Sequence, residues 1–291
     1  MGLTYTKLTK SFLRTLRSER KSEATITAYL TAVQRFVSFV GDIPVEETTR
    51  VQIADFINSQ LEKNSPSTAA TRFRGLQQFF RWCLEEGELE VSPMAGMRPP
   101  KMREVPPGVL SVADIRKLLK ACEGKDFLER RDTAIIRLFL DTGMRRSEIV
   151  DLLCADVDLE SGLVVVVGKG DRKRVVPLCD RTIHALDRYL RAREAHPQHR
   201  QERMWIGQKG PLTSSGLYQM IRERGLAAGL DIHPHQMRHT FAHRWRLAGG
   251  EGDDLMRLMG WKSSQMLARY GASAADERAR AAHARIRPGE V

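Results

Sequence analysis

Apolar residues recur every three to four positions through most of the first hundred residues. Between 24 and 40, Ile26, Tyr29, Leu30, Val33, Phe36, Val37 and Val40 keep a helical rhythm, and Gly41 ends it. The rhythm returns over 51–61 with Ile53, Phe56, Ile57 and Leu61. Ser65 then reads as an N-cap, with Pro66 in the first helical turn, where a missing N–H costs nothing. The helix that follows turns Phe73, Leu76, Phe79, Phe80 and Cys83 inward and stops near Gly87, leaving Arg72, Arg74 and Arg81 off its apolar stripe. The pattern predicts a bundle of about four helices over residues 1–91.

The periodicity breaks over residues 92–108, where five prolines and two glycines fall among seventeen positions. Proline lacks the amide donor and fixes its own dihedral, so this stretch predicts a semi-stiff linker between two domains. A second domain, residues 109–291, is expected to be mostly helical. Helices are predicted over 114–121 and 132–140, the latter closed by Gly143. Two β-branched runs, 163–167 and 174–177, flank a Gly-rich polar loop at 168–173 and predict a hairpin. From Thr182 onward the pattern is helical again. The expected fold is therefore mainly α with a small β-sheet: a helical N-terminal bundle followed by a mixed α/β domain.

Composition narrows the class. Of 291 residues, 42% are hydrophobic and 29% charged, an ordinary globular balance that excludes a fibrous repeat, a disulfide scaffold and a mostly disordered chain. The most uniform apolar strip, 163–167, is five residues long, whereas a spanning helix needs about 20. No membrane partner is expected. The 47 Lys+Arg against 36 Asp+Glu leave a net charge of +11. The excess is uneven, at +2 over residues 1–100 and +9 over 101–291. A folded chain of pI near 9.8 suits a polyanion such as nucleic acid, although solubility alone also accounts for net charge. Cys83, Cys122, Cys154 and Cys179 are far apart and form no C-x-x-C pair, which argues against a zinc ribbon or a disulfide framework. With no secretory pattern in MGLTYTKLTKSFL, a reducing cytoplasm is expected, close to the nucleoid if the partner is DNA.

Four segments could carry chemistry. In TGMRRSEIVDL (142–152), Gly143 ends one helix and Ser147 with Glu148 begins the next, so Arg145 sits at a turn beside a helix N-terminus that attracts anions. A surface arginine pair is the plain alternative. In HPHQMRHTFAHRW (233–245), Pro234 fits a first turn, and His235 and Arg238 are three apart on one face. An imidazole beside a guanidinium makes a phosphate clamp, since guanidinium donates two parallel bonds that Lys cannot reproduce. Metal binding by His235, His239 and His243 competes poorly: no H-E-x-x-H pattern is present, and Arg238 would repel a cation. In LMGWKSSQMLARY (258–270), Gly260 stops a helix and Tyr270 lies near the end of a short new segment. VVVVGKGDRKRVVPL (164–178) is the hairpin. Each segment alone also reads as ordinary packing or solvated surface.

In this order, the four segments resemble the tyrosine recombinase (phage integrase) family along nearly the whole chain, and the short layout is similar to its Xer-like members. The resemblance implies that the N-terminal bundle is the SAM-like core-binding domain and that residues 109–291 are the catalytic domain. It places the family's catalytic residues on Arg145, Lys169, His235, Arg238 and Tyr270. Trp261 stands nine residues before Tyr270, where many members carry His. Indole donates an N–H but shuttles no proton near neutrality. Tyr270 would attack a backbone phosphorus, release a 5′-hydroxyl and form a 3′-phosphotyrosine, with no metal or other cofactor. The implied partners are double-stranded DNA, contacted in part by Arg72, Arg74 and Arg81, and further copies of the chain, as a tetramer on two sites joined through a Holliday junction. A paralogous recombinase subunit or an accessory DNA-bending protein is a further implied partner. The C-terminal Ala-rich stretch after Tyr270 would either dock into a neighbouring subunit or fray in solvent. Two other readings share these residues: relaxation of DNA by a type IB topoisomerase, and a DNA-binding accessory protein without catalysis.

Overall fold

The computed structural model describes residues 2–101, 108–168, 172–261 and 263–287; within the last helix, the side chains of 268–274, 276 and 281 lie outside the described residues. The chain forms two compact units, Met1–Glu104 and Val105–Val291.

The first unit is a bundle of α1 (Tyr5–Ser18), α2 (Glu23–Val40), α3 (Arg50–Lys63) and α4 (Pro66–Glu85). Local chemistry sets the boundaries. Ser22 and Ser65 accept hydrogen bonds from the Thr25 and Thr68 amides, Pro66 occupies the first turn of α4, and Gly41 closes α2 at φ 91°. The core is unusually aromatic. Tyr5, Phe12, Phe36, Phe56, Phe79 and Phe80 interlock, with ring centroids 5.3–6.5 Å apart. Gly75 lets α4 approach α2, since a Cβ there would stand 2.6 Å from that of Ala32. Residues 92–97 of the Pro-rich stretch fold onto this unit: Met94 enters the core and Arg50 donates to the Ala95 carbonyl.

The second unit holds α5 (Val112–Lys120), α6 (Phe127–Thr142) and α7 (Arg146–Asp151). A sheet follows, of β1 (Val157–Asp158), β2 (Leu163–Gly168) and β3 (Arg172–Pro177) in antiparallel order β1-β2-β3. After it come α8 (Asp180–Glu194), α9 (Ser214–Ala227), α10 (Pro234–Leu247), α11 (Gly252–Met259) and α12 (Ser264–Ile286). The expected hairpin is β2–β3, with Gly168 opposite Arg172. The apolar face of α6 is buried in the core that runs from Leu110 to Met237. A buried ion network braces it. Arg131 and Arg224 both grip Asp132, and Arg131 also donates to the Ile206 carbonyl. One expectation is corrected here. Tyr270 does not end a short segment; it falls in the second turn of α12, one continuous 23-residue helix. The Ala-rich composition propagates the helix without a break. α12 packs on α10 and α11 of its own chain, and the Glu277 carboxylate lies 4.0 Å from His243. No helix among the described residues is long and apolar enough to cross a membrane.

Candidate active site

Two glycine turns build the site. Gly143 ends α6 in the left-handed region at φ 60°, and a Cβ there would stand 2.6 Å from both Met259 Sδ and a Phe241 ring carbon. Gly260 ends α11 likewise at φ 62°. Glycine alone adopts this geometry without strain. Each turn presents carbonyl oxygens, and the arginines of the site bind them.

Arg238, on α10, is almost fully buried, at 2% exposure. Its Nη1 donates to the Gly143 carbonyl at 2.5 Å and its Nη2 to the Met259 carbonyl at 2.8 Å. The guanidinium therefore stitches the two turns together, and it lies 5.6 Å from the Trp261 ring. Trp261 packs in a small cluster with Phe241, Leu255 and Met259.

Arg145 precedes α7. Its amide donates to Glu148 Oε2 at 2.7 Å, its Nη1 to Glu148 Oε1 at 2.8 Å, and its Nη2 reaches the Gly260 carbonyl at 3.4 Å. The Glu148 side chain is 4% exposed. Arg174, from β3, grips the same carboxylate in a fork, at 2.9 and 2.8 Å, while its Nε donates to the Leu258 carbonyl at 2.7 Å. Burial alone would push the Glu148 carboxyl up. The Arg174 and Arg145 hydrogen bonds outweigh that and hold it at about 2. Glu148 thus stays ionised and fixes two guanidinium groups, tying the hairpin, α7 and the end of α11 into one frame.

His235 and Arg238 differ in burial. Their i, i+3 spacing holds, but His235 is exposed while Arg238 points into the protein. A buried guanidinium needs oxygen acceptors, and the two glycine turns supply them. His235 instead lines a cleft of about 390 Å³ together with Arg145, and packs edge-on against His239 at 4.8 Å. The site therefore brings Arg145, Arg238 and Trp261 around the two turns, with His235 beside Arg145. Lys169 lies outside the described residues. Tyr270 is placed on α12, but its side chain lies outside the described residues. Among the described residues, no group of three or more His, Cys, Asp or Glu is arranged to hold a metal ion.

In the first unit, the three arginines flagged as DNA contacts differ. Arg72 lines a cleft of about 350 Å³ with Arg35, Lys63, Phe39, Gln60 and Asn64. Burial and the neighbouring Arg35 charge lower its pKa. Arg81 is engaged on its own helix with Gln78 and Glu85, and Arg74 is exposed. The sequence reading missed Arg35, Lys63, Arg174 and the anchoring part of Glu148. The only signals for the last two were a Glu three residues after Arg145 and a basic run leaving the hairpin.

Comparison with known proteins agrees with this architecture. Residues 109–277 match the phage integrase family, and residues 8–87 match the phage integrase N-terminal SAM-like domain. The chain is 30% identical over 266 residues to the tyrosine recombinase XerD of Listeria monocytogenes, covering 87% of this chain and 89% of that one. It is also 30% identical over 263 residues to XerC of Thermodesulfovibrio yellowstonii, covering 87% of each. In fold it is similar to the Tn1549 transposon integrase bound to transposon right-end DNA, with a TM-score of 0.77, 20% identity and coverage of 98% of this chain and 99% of that one. A lambda integrase dimer bound to a COC′ core site gives a TM-score of 0.76 at 20% identity, covering 92% of this chain and 77% of that one. The fold and the ordered segments define a strand-exchanging recombinase class. The chain belongs to the phage integrase family, as a tyrosine recombinase similar to the Xer proteins.

Proposed function

We propose that this site-specific recombinase cleaves double-stranded DNA through a 3′-phosphotyrosine on Tyr270 and exchanges strands between two recognition sites by way of a Holliday junction. The observation that carries the reading is the convergence of three separate sequence segments on the Gly143 and Gly260 turns, with Arg145 and Arg238 anchored there beside Trp261. A phosphodiester in transfer concentrates negative charge on its nonbridging oxygens, and preorganised cationic donors stabilise it most. Arg145 and Arg238 supply that charge. Trp261 and His235 complete the enclosure.

A phenol near pKa 10 needs a proton acceptor to attack efficiently, and His235 takes that part. Lys169, next in sequence after Gly168, protonates the leaving 5′-oxygen. The ester energy is retained in the phosphotyrosine, so religation needs no ATP, and the guanidinium groups do the charge work without a metal. The working assembly is a tetramer on two sites, joined where needed by a paralogous recombinase subunit or a DNA-bending protein. Such a protein acts at the nucleoid. The first unit serves as the core-binding domain, with Arg72, Arg74 and Arg81 facing the DNA backbone.

A nicked suicide duplex tests the chemistry. A covalent DNA adduct should form with or without EDTA and vanish in Tyr270→Phe. An adduct that persists in that variant, or one that EDTA abolishes, overturns the scheme.

A further inference from the structure

The cleft of about 390 Å³ extends past the residues given roles above, to Arg146, Ser147, Ser214, Tyr218 and His233. Its walls come from the first residues of α7, α9 and α10, and it holds three arginine or histidine side chains besides Arg145 but no carboxylate among its described lining residues. Arg145 and Arg146 differ in a way that matters. Arg145 is paired with Glu148, which offsets its charge. Arg146 makes no ion pair among the described residues; its guanidinium lies over the Tyr218 ring, 5.9 Å from the centroid. Tyr218 is 39% exposed, and both it and Arg146 line the cleft. Ser147 and Ser214 line the same space, and their hydroxyls can donate to an anion held there.

A concave site with cations, hydroxyl donors and no acid takes a tetrahedral oxyanion. Arg145 and Arg146 are consecutive and line the same cleft, so with Arg145 at the scissile phosphate Arg146 falls to a neighbouring phosphate of the same strand. Resting on the recombinase reading, we propose that this cleft binds a second backbone phosphate of the cleaved strand, adjacent to the scissile one, with Arg146 as its cation and Tyr218 as the residue that positions Arg146. Binding there fixes the strand's register, so that the scissile phosphorus stands at the Arg145–Arg238 turns. It adds no chemistry of its own.

Suicide duplexes carrying a single uncharged methylphosphonate on one or the other side of the scissile phosphate test this with the full chain. On the native duplex, Arg146→Ala should weaken binding roughly tenfold and reduce the log–log salt slope by about 1. On the duplex neutralised at the contacted phosphate, the variant and the unsubstituted chain should bind alike. Tyr218→Phe should keep the native affinity, and Tyr218→Leu should lose part of it. A variant Arg146→Ala with native affinity and salt slope overturns the proposal, as does a loss that stays the same on both methylphosphonate duplexes. In either case the unsubstituted chain still forms its covalent adduct. If it forms none, the recombinase chemistry falls, and this subsite with it.

Discussion

At the scale of single residues, Glu148 decides the geometry of the site. A buried carboxylate is costly unless its oxygens are filled, and here two arginines and one amide fill them. Removing the charge from one member of such a group leaves the others facing a neutral amide. Glu148→Gln should therefore destabilise the folded chain by about 3 kcal/mol, seen as a lower urea midpoint at neutral pH. The acid dependence follows from the same carboxyl. Its pKa falls from 4.5 in the unfolded chain to about 2 in the folded one. The folded state therefore binds fewer protons, and its added stability is present in full above pH 4.5 and fades as pH falls towards 2. That contribution is on the order of 3 kcal/mol. Urea midpoints measured across this window should fall less steeply in Glu148→Gln than in the unsubstituted chain. Equal slopes would show that Glu148 does not carry the acid response. Arg174→Lys tests the fork: Lys cannot grip two carboxylate oxygens and the Leu258 carbonyl at once, so the hairpin loses its tie to α11.

At the scale of elements, the two glycine turns matter more than the helices they end. Gly143→Ala places a methyl against Met259 and Phe241 in a backbone region that Ala disfavours. It should cost about 1–3 kcal/mol and lower the thermal midpoint by several degrees. Because the Gly143 carbonyl also holds Arg238, the cleavage rate should fall further than the stability loss alone explains. These turns were legible in the sequence because glycine after an apolar helical run has one common use. The same holds for Ser65, Pro66 and Pro234, whose preferences are local. What could not be read depends on distance along the chain. The Asp132–Arg224 pair spans 92 residues and Arg174–Glu148 spans 26, and no periodicity encodes such partners. β1 is only two residues long, too short to show alternation. Arg238 was legible as a site residue but not as a buried one, because its carbonyl acceptors come from α6 and α11. The join between 258–270 and the Ala-rich tail was misread for a related reason: Ser263 caps α12 before Tyr270, and Gly271, a common helix stop, lies inside the helix, which runs on to Ile286.

At the scale of the whole molecule, charge and chemistry divide unequally between the two units. Each unit has its own apolar core, so each can be perturbed with little effect on the other's packing. Residues 101–291 carry most of the net charge, +9 against +2, yet the first unit gathers Arg35, Lys63 and Arg72 around one cleft whose described lining contains no acid. Burial, and after it the neighbouring Arg35 charge, lower the Arg72 pKa, and an anion in the cleft would relieve both. Binding to DNA should then weaken with salt at a log–log slope of roughly −0.9 for each phosphate neutralised. Arg72→Ala should flatten that slope by about 1 and weaken binding, while leaving the cleavage rate at saturating protein unchanged. Arg238→Ala should do the opposite, cutting the single-turnover cleavage rate far more than the affinity, if, as proposed, its guanidinium is fixed where charge develops during transfer. Measuring salt slope and cleavage rate for both variants on one suicide duplex separates the two functions. Equal losses of rate and affinity in Arg238→Ala would reduce it to a binding residue. A salt slope unchanged in Arg72→Ala would remove the first unit's cleft from the DNA interface.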